Sequence, residues 1–207
     1  MAIDYRITLD DAHEFSYRIE LDREYDAQAA SLAPKWTRLE YQQCSNCPLS
    51  KDHFSHCPAA VDLHRVIEDF HGLPAFKKVV VWVQTPEREY SKQVGLEEGL
   101  RSLLGVIMAT SACPMLGRLK PMAHNHLPFA SSHEFALRAV SLYLTQQYFN
   151  FREGRPADWE LKGLVTQFQQ LQLVNQAFWQ RIHDTCEGDS NLKAFLTFFS
   201  MSSSMTY

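Results

Sequence analysis

The sequence predicts an α+β fold in which an amino-terminal antiparallel sheet with a cysteine-rich metal loop packs on a carboxy-terminal helical bundle. Apolar residues alternate with polar ones near the start of the chain, whereas they recur every three or four residues in the second half. Strands followed by helices give segregated layers. The chain of 207 residues is therefore expected to form one domain, with a sheet-rich part at 1–84 and a helical part at 85–207.

The first strands are predicted from alternation. Tyr5, Ile7 and Leu9 alternate with polar neighbours, and a turn at residues 10–13 leads to a second alternating run that ends near Leu21. This pattern indicates a hairpin with one buried face. A third strand is expected over residues 36–43, which would run directly into Cys44 and place the cysteine loop at a sheet edge.

The next two elements follow from a helical and a β-branched pattern. Residues 59–71 have helical spacing, and Gly72 and Pro74 are expected to end that helix. The run Val79 to Val83 contains four valines and one tryptophan, which predicts a strand covered on both faces.

From Thr85 the pattern predicts helices. Thr85-Pro86-Glu87 is typical of a helix start, and the apolar stripe that follows extends to about Thr110. The glycines in this segment, Gly95, Gly99 and Gly105, predict that another element or a ligand approaches the helix closely, and we favour helix packing as the reason. Ser131 and Glu134 form a capping-box pattern for a second helix. A third runs from Asp158 to about Cys186, and Asp189 is expected to cap a short last helix.

Charge and composition exclude several functional classes. The net charge of -4 and the pI near 6.1 give no electrostatic footprint for nucleic acid, so we expect no nucleic-acid partner. No apolar run has the length of a membrane span and the start lacks a signal-peptide pattern, so we expect a cytoplasmic protein without a membrane partner. Glycine-rich nucleotide loops, zincin motifs and nucleophile elbows are absent from the sequence.

The segment from Cys44 to Cys57 has metal-site spacing. Cys44 and Cys47 form a Cys-x-x-Cys turn, and Cys57 lies ten residues further on, so three thiolates are available for structural zinc. The fourth ligand is open at this stage. His53 gives nearly the spacing of a zinc knuckle, His56 is awkwardly adjacent to Cys57, and Cys113 would complete a four-thiolate site.

Other readings of the same cysteines remain. They could be unligated thiols in a proline-bordered loop, an iron–sulfur cluster or a disulfide, although a reducing cytosol favours metal or burial over disulfides. Cys186 is expected to be a small buried residue.

A second segment rich in chemically reactive side chains runs from Ser111 to Phe129 and contains three prolines that fix its path. Rigid loops of this kind border pockets, and we hypothesise a ligand site that involves His126, Arg138 and Tyr143. The competing interpretation gives His126 and Arg138 a structural role in the core. Cys113 with a histidine could also form a nucleophile and base pair, but no third orienting group is evident.

The combination of motifs resembles a family of bacterial proteins of unknown function. It comprises Cys-x2-Cys-Pro-Leu, Cys-Pro, Thr-Pro-Glu-Arg, Ser-x-Cys-Pro, Pro-Met and His-Leu-Pro-Phe, and it spans about residues 36–150. The resemblance implies no activity or cofactor. It does favour Cys113 over His53 and His56 as fourth ligand, because Cys113 belongs to the pattern.

These observations predict a cytosolic binding or adaptor protein with structural zinc on Cys44, Cys47, Cys57 and Cys113. Its partner is a protein or a small molecule. The alternative is a small metal- or thiol-dependent enzyme with its site around the Cys113–His126 loop.

Overall fold

The computed structural model describes residues 1–10 and 13–185, and these form the predicted α+β fold. Four strands make one sheet: β1 (Ala2–Asp10), β2 (His13–Glu20), β3 (Lys78–Gln84) and β4 (Glu89–Gly95). Their order is β2-β1-β3-β4, and every neighbouring pair is antiparallel. The predicted hairpin is confirmed as β1 and β2, and the sheet extends beyond residue 84.

One face of the sheet is buried. Tyr5 of β1 pairs with Tyr17 on one side and with Val83 on the other, and its side chain lies fully inside the core. The opposite face is polar, with the Arg6 guanidinium 4.0 Å above the Trp82 ring. This alternation means that the expectation of a strand covered on both faces is wrong for β3, where Val80 is 43% exposed.

The prediction of a strand over residues 36–43 is also wrong. Lys35–Thr37 forms a single 3-10 turn, and the Thr37 hydroxyl donates to the Pro34 carbonyl oxygen at 2.7 Å. Beyond it, the segment contributes an isolated bridge between Arg38 and His56. Local turn chemistry outweighs strand propensity here, so the cysteine loop does not continue a strand of the sheet.

The helix predicted to start at Thr85 begins later than expected. Residues 85–88 form a turn in which the Thr85 N–H donates to the Arg88 carbonyl oxygen at 2.8 Å. The Arg88 N–H donates back to Thr85 Oγ1 at 3.0 Å. The turn returns the chain as β4, and α3 starts only at Leu96. A Thr-Pro start is compatible with a turn as well as with a helix, and sheet pairing decided between them.

Six helices complete the described residues: α1 (Ala27–Leu32), α2 (Pro58–Asp69), α3 (Leu96–Thr110), α4 (Lys120–His124), α5 (Ser132–Arg152) and α6 (Lys162–His183). Helix α3 packs directly on the sheet. A Cβ on Gly99 would lie 2.8 Å from Val81 Cγ2, so glycine permits the close approach of α3 to β3. The packing explanation for this glycine is confirmed.

The predicted helices α2, α5 and α6 are present. The capping box at Ser131 and Glu134 is formed as expected. Helix α6 starts four residues after Asp158, and its buried stripe contacts α5 through the Phe135 and Phe168 rings, whose centroids are 5.9 Å apart. The residues predicted to form a short helix capped by Asp189, and Cys186, lie outside the described residues.

Candidate functional site

Backbone pairing closes the neck of the cysteine loop. The Leu39 N–H donates to the Ser55 carbonyl oxygen at 3.1 Å, and the Cys57 N–H donates to that of Thr37 at 2.8 Å. Within the loop, the Cys47 N–H donates to the Cys44 carbonyl oxygen at 3.0 Å. These bonds make a compact turn that brings Cys44 and Cys47 back toward Cys57.

A side chain anchors the same loop to a distant helix. Asn46 Nδ2 donates to the carbonyl oxygen of Gln170 at 3.0 Å and to its side-chain Oε1 at 2.9 Å. Gln170 belongs to α6, so the Cys-x-x-Cys turn is held against the last described helix.

Cys57 and Cys113 each lie beside backbone N–H groups. Cys57 precedes α2, and the N–H groups of Ala59 and Ala60 favour its thiolate and lower its pKa. The N–H groups of Leu116 and Met115 act in the same way on Cys113, in the turn that follows α3. Burial is the larger effect at both residues and raises the pKa of each thiol.

The four sulfur atoms lie near enough for their charges to interact. Burial raises the pKa of Cys44 to about 12, and negative charge on Cys57, Cys113 and Cys47 adds to the increase. Burial raises the pKa of Cys113 to about 11, and Cys57 and Cys47 contribute. Cys44, Cys47, Cys57 and Cys113 therefore share one region of the fold, and we call them the cysteine cluster.

The cysteine cluster as it stands is not a formed metal site. Within residues 1–10 and 13–185, no three cysteine, histidine or acidic side chains are arranged around a common point as metal ligands. All four cysteines of the cluster are free thiols. His53 is exposed, and His56 Nδ1 lies 2.9 Å from Ser55 Oγ.

Arg181 of α6 adds a positive charge to the cluster. Its side chain is 2% exposed, and Nη1 donates to the carbonyl oxygens of Trp36 and, at 2.9 Å, of Arg38. Burial lowers the pKa of Arg181, while negative charge on Cys57 and Cys44 raises it. No carboxylate of the described chain lies within ion-pair distance of this guanidinium.

A separate pocket lies between α3, α5 and the segment that contains α4. It encloses about 570 Å³ including its mouth, and His126 and Arg138 both line it. Tyr143 does not: its hydroxyl donates to Asp158 Oδ2 at 2.9 Å, and the residue borders a neighbouring depression. The structure thus brings together two of the three residues predicted for a ligand site.

His126 ends a chain of hydrogen bonds. The Phe129 N–H donates to Ser102 Oγ at 3.2 Å, Ser102 Oγ lies 3.1 Å from the Tyr5 hydroxyl, and that hydroxyl lies 2.5 Å from His126 Nε2. Each hydroxyl donates once and accepts once if Ser102 donates to Tyr5 and Tyr5 donates to His126. Burial, with the nearby Arg138 charge, lowers the pKa of His126 to about 3, so the ring is neutral at pH 7.

Arg138 fixes the path of the loop. Its Nη2 donates to the Met122 carbonyl oxygen at 2.6 Å and to that of Asn125 at 2.7 Å. The residue therefore has a structural contact in addition to its place in the pocket wall.

Sequence reasoning missed Arg181, Tyr5 and Ser102 as site residues. The signal for Arg181 was a charged residue on the apolar stripe of α6, three positions after Phe178 and next to Ile182. Tyr5 and Ser102 gave no comparable signal, because a tyrosine on a strand and a serine on a helix are common in packed cores.

The fold and site define an α+β protein with a partly buried cysteine cluster and a distinct pocket. The chain belongs to the family described as a domain of unknown function, DUF6901, which matches residues 3–206. The predicted membership of an uncharacterised family is thereby confirmed. Neither the curated proteins nor the solved structures contain a match to this chain. Among the described helices, none combines the length and apolar character needed to cross a bilayer.

Proposed function

We propose that this chain is a non-catalytic cytosolic binding protein whose fold is stabilised by one structural zinc ion on the cysteine cluster. Four thiolates are a standard donor set for structural zinc. The cluster also joins parts of the chain that are far apart in sequence. Cys44 precedes α2 and Cys113 follows α3, so two helices and two strands separate them along the chain. A metal that joins them would close a long loop and stabilise the fold.

The observation that carries the proposal is the buried charge of Arg181. A guanidinium stays protonated in proteins, and a buried charge without an opposite charge is costly. In the described chain the acidic groups beside it are the thiols of Cys57, Cys44 and Cys47 rather than a carboxylate, and these thiols would supply opposite charge only as metal-bound thiolates. Four thiolates with Zn²⁺ carry a net charge of −2, which Arg181 would partly offset.

The raised thiol pKa values are compatible with this proposal. A metal ion displaces the thiol protons on binding, so free thiols with high pKa values can still become ligands. The amide groups beside Cys57 and Cys113 are placed to stabilise the thiolate charge that remains.

A thiol-dependent enzyme has less support. A nucleophilic cysteine requires a lowered pKa, whereas that of Cys113 is raised to about 11. No hydrogen bond in the described residues joins Cys113 to His126, whose ring instead contacts Tyr5. A hydrolytic pair of these two residues therefore lacks its required contact.

Elemental analysis of the purified protein, combined with thiol counting, tests the proposal. We expect about one zinc per chain, and iron would indicate a cluster instead. Cys47→Ser should lose the metal and lower the free energy of unfolding by several kcal/mol, because metal binding is coupled to folding. Ser45→Ala, in the same turn, is the matched control and should keep the parent's zinc content and free energy of unfolding. Full zinc content in Cys47→Ser would contradict the proposal.

A further inference from the structure

The pocket beside His126 carries positive charge at its wall. Arg101 and Arg138 line it, and no acidic residue does. Within residues 1–10 and 13–185, no carboxylate lies within ion-pair distance of either guanidinium. Burial lowers the pKa of Arg138, and Tyr90 and Glu134 partly offset this change. The Glu134 carboxylate accepts from the Ser131 N–H and hydroxyl, both at 2.8 Å.

Both arginines have N–H groups without a hydrogen-bond partner in the described structure. Arg138 donates to protein through Nη2, so its Nε–H and Nη1–H groups have no partner in the described structure. Arg101 makes one long contact there, from Nη2 to the Ala130 carbonyl oxygen at 3.5 Å. Nη2 belongs to both bidentate edges of a guanidinium, so Arg138 can give a carboxylate single charge-assisted contacts, whereas Arg101 can present two parallel N–H groups to its two oxygens.

The rest of the wall is mostly apolar. Five apolar side chains surround the space: Val106, Ala109, Leu119, Met122 and Phe135. Gly105 also lines it and leaves part of α3 without a side chain. His126 is neutral at pH 7 and adds no charge of its own.

We infer that this pocket binds a small organic monocarboxylate, with the carboxylate on Arg101 and Arg138 and the apolar body against α3 and α5. The inference rests on the proposed binding function and names its ligand class. It does not depend on zinc, because the cysteine cluster does not line the pocket.

Titration of ¹⁵N-labelled, metal-replete protein with hexanoate tests the inference, with hexanol and hexylamine as probes of equal chain length. Hexanoate should give saturable shifts at amides of the pocket wall, and its dissociation constant should be at least about tenfold lower than that of either comparison compound. Arg101→Gln should weaken hexanoate binding by about tenfold or more, since a charge-assisted contact is lost.

The matched control is Arg118→Gln, which removes the same charge from an exposed residue outside this pocket and should bind hexanoate normally. Equal binding of hexanol and hexanoate, or normal binding by Arg101→Gln, would overturn the carboxylate assignment and leave the binding function standing. If none of the three compounds binds, the inference and small-molecule binding both fall, while zinc content still reports separately on the cysteine cluster.

Discussion

The Tyr5 hydroxyl lies 2.5 Å from His126 Nε2, which ties the first strand of the sheet to the loop that borders the pocket. The two ring centroids are 5.8 Å apart, and Ser102 of α3 completes the contact from the other side of Tyr5. A neutral His126 ring is required for Nε2 to accept from Tyr5, and the lowered pKa of His126 supplies that condition.

His126 should make stability depend on pH. Its folded-state pKa of about 3 lies below the ordinary value of 6.5, so the unfolded chain binds more protons between these values. The stabilisation is fully present above pH 6.5 and is lost as the pH falls toward 3. Between pH 7.5 and 5.0, His126 should account for a loss of about 1 to 2 kcal/mol in the free energy of unfolding.

Urea unfolding of the parent and of His126→Gln at both pH values measures this loss. The variant should show a flatter pH dependence, because glutamine does not titrate. His133→Gln is the control, since His133 is exposed. An equal pH dependence in the parent and in His126→Gln would show that the ring is not held neutral in the fold.

Arg138→Ala should destabilise the protein. The substitution removes the donor to the Met122 and Asn125 carbonyl oxygens, and orphaned acceptors cost about 1 to 3 kcal/mol. Thermal unfolding is the measurement, with Arg118→Ala as the control for loss of an exposed arginine. A parent-like melting temperature for Arg138→Ala would mean that water replaces both contacts and that Arg138 serves the ligand alone.

The fourth metal ligand can be identified by cobalt substitution. If Cys113 is a ligand, Cys113→Ser should lose metal as completely as Cys44→Ser, while His53→Ala stays loaded. The intensity of the thiolate-to-cobalt charge-transfer band rises with the number of sulfur ligands, so the intact protein should give a four-sulfur spectrum. A three-sulfur spectrum, together with metal loss in His53→Ala, would assign the fourth position to histidine.

Arg181 should contribute to metal affinity. Arg181→Leu removes the positive charge beside the thiolates and leaves the Trp36 and Arg38 carbonyl oxygens without their donor. We expect weaker zinc binding in a chelator competition and a free energy of unfolding lower by about 1 to 3 kcal/mol. Arg181→Lys keeps the charge and should retain more of the affinity. Equal zinc affinity in the two variants would exclude a charge effect of Arg181.

Local sequence patterns predicted the secondary structure correctly where a segment's own residues decide its structure. The hairpin of β1 and β2 follows from alternation, and α5 begins at the predicted capping box of Ser131 and Glu134 because that motif satisfies its own backbone donors. The same logic failed at residues 85–95, where a Thr-Pro start fits either a helix or a turn. Pairing with β3 settled that choice, and such pairing joins residues whose partnership no local pattern encodes.

The sequence by itself determined that Cys44, Cys47 and Cys57 have metal-site spacing and that His126 and Arg138 lie on or beside a proline-stiffened loop. Only the tertiary structure decided that the buried Arg181 charge lies beside those thiols, that Tyr143 turns to Asp158, and that Tyr5 reaches His126. The reason is that hydrophobic periodicity specifies which face of an element is buried. It does not specify which buried groups from distant elements meet, because packing in three dimensions sets those contacts.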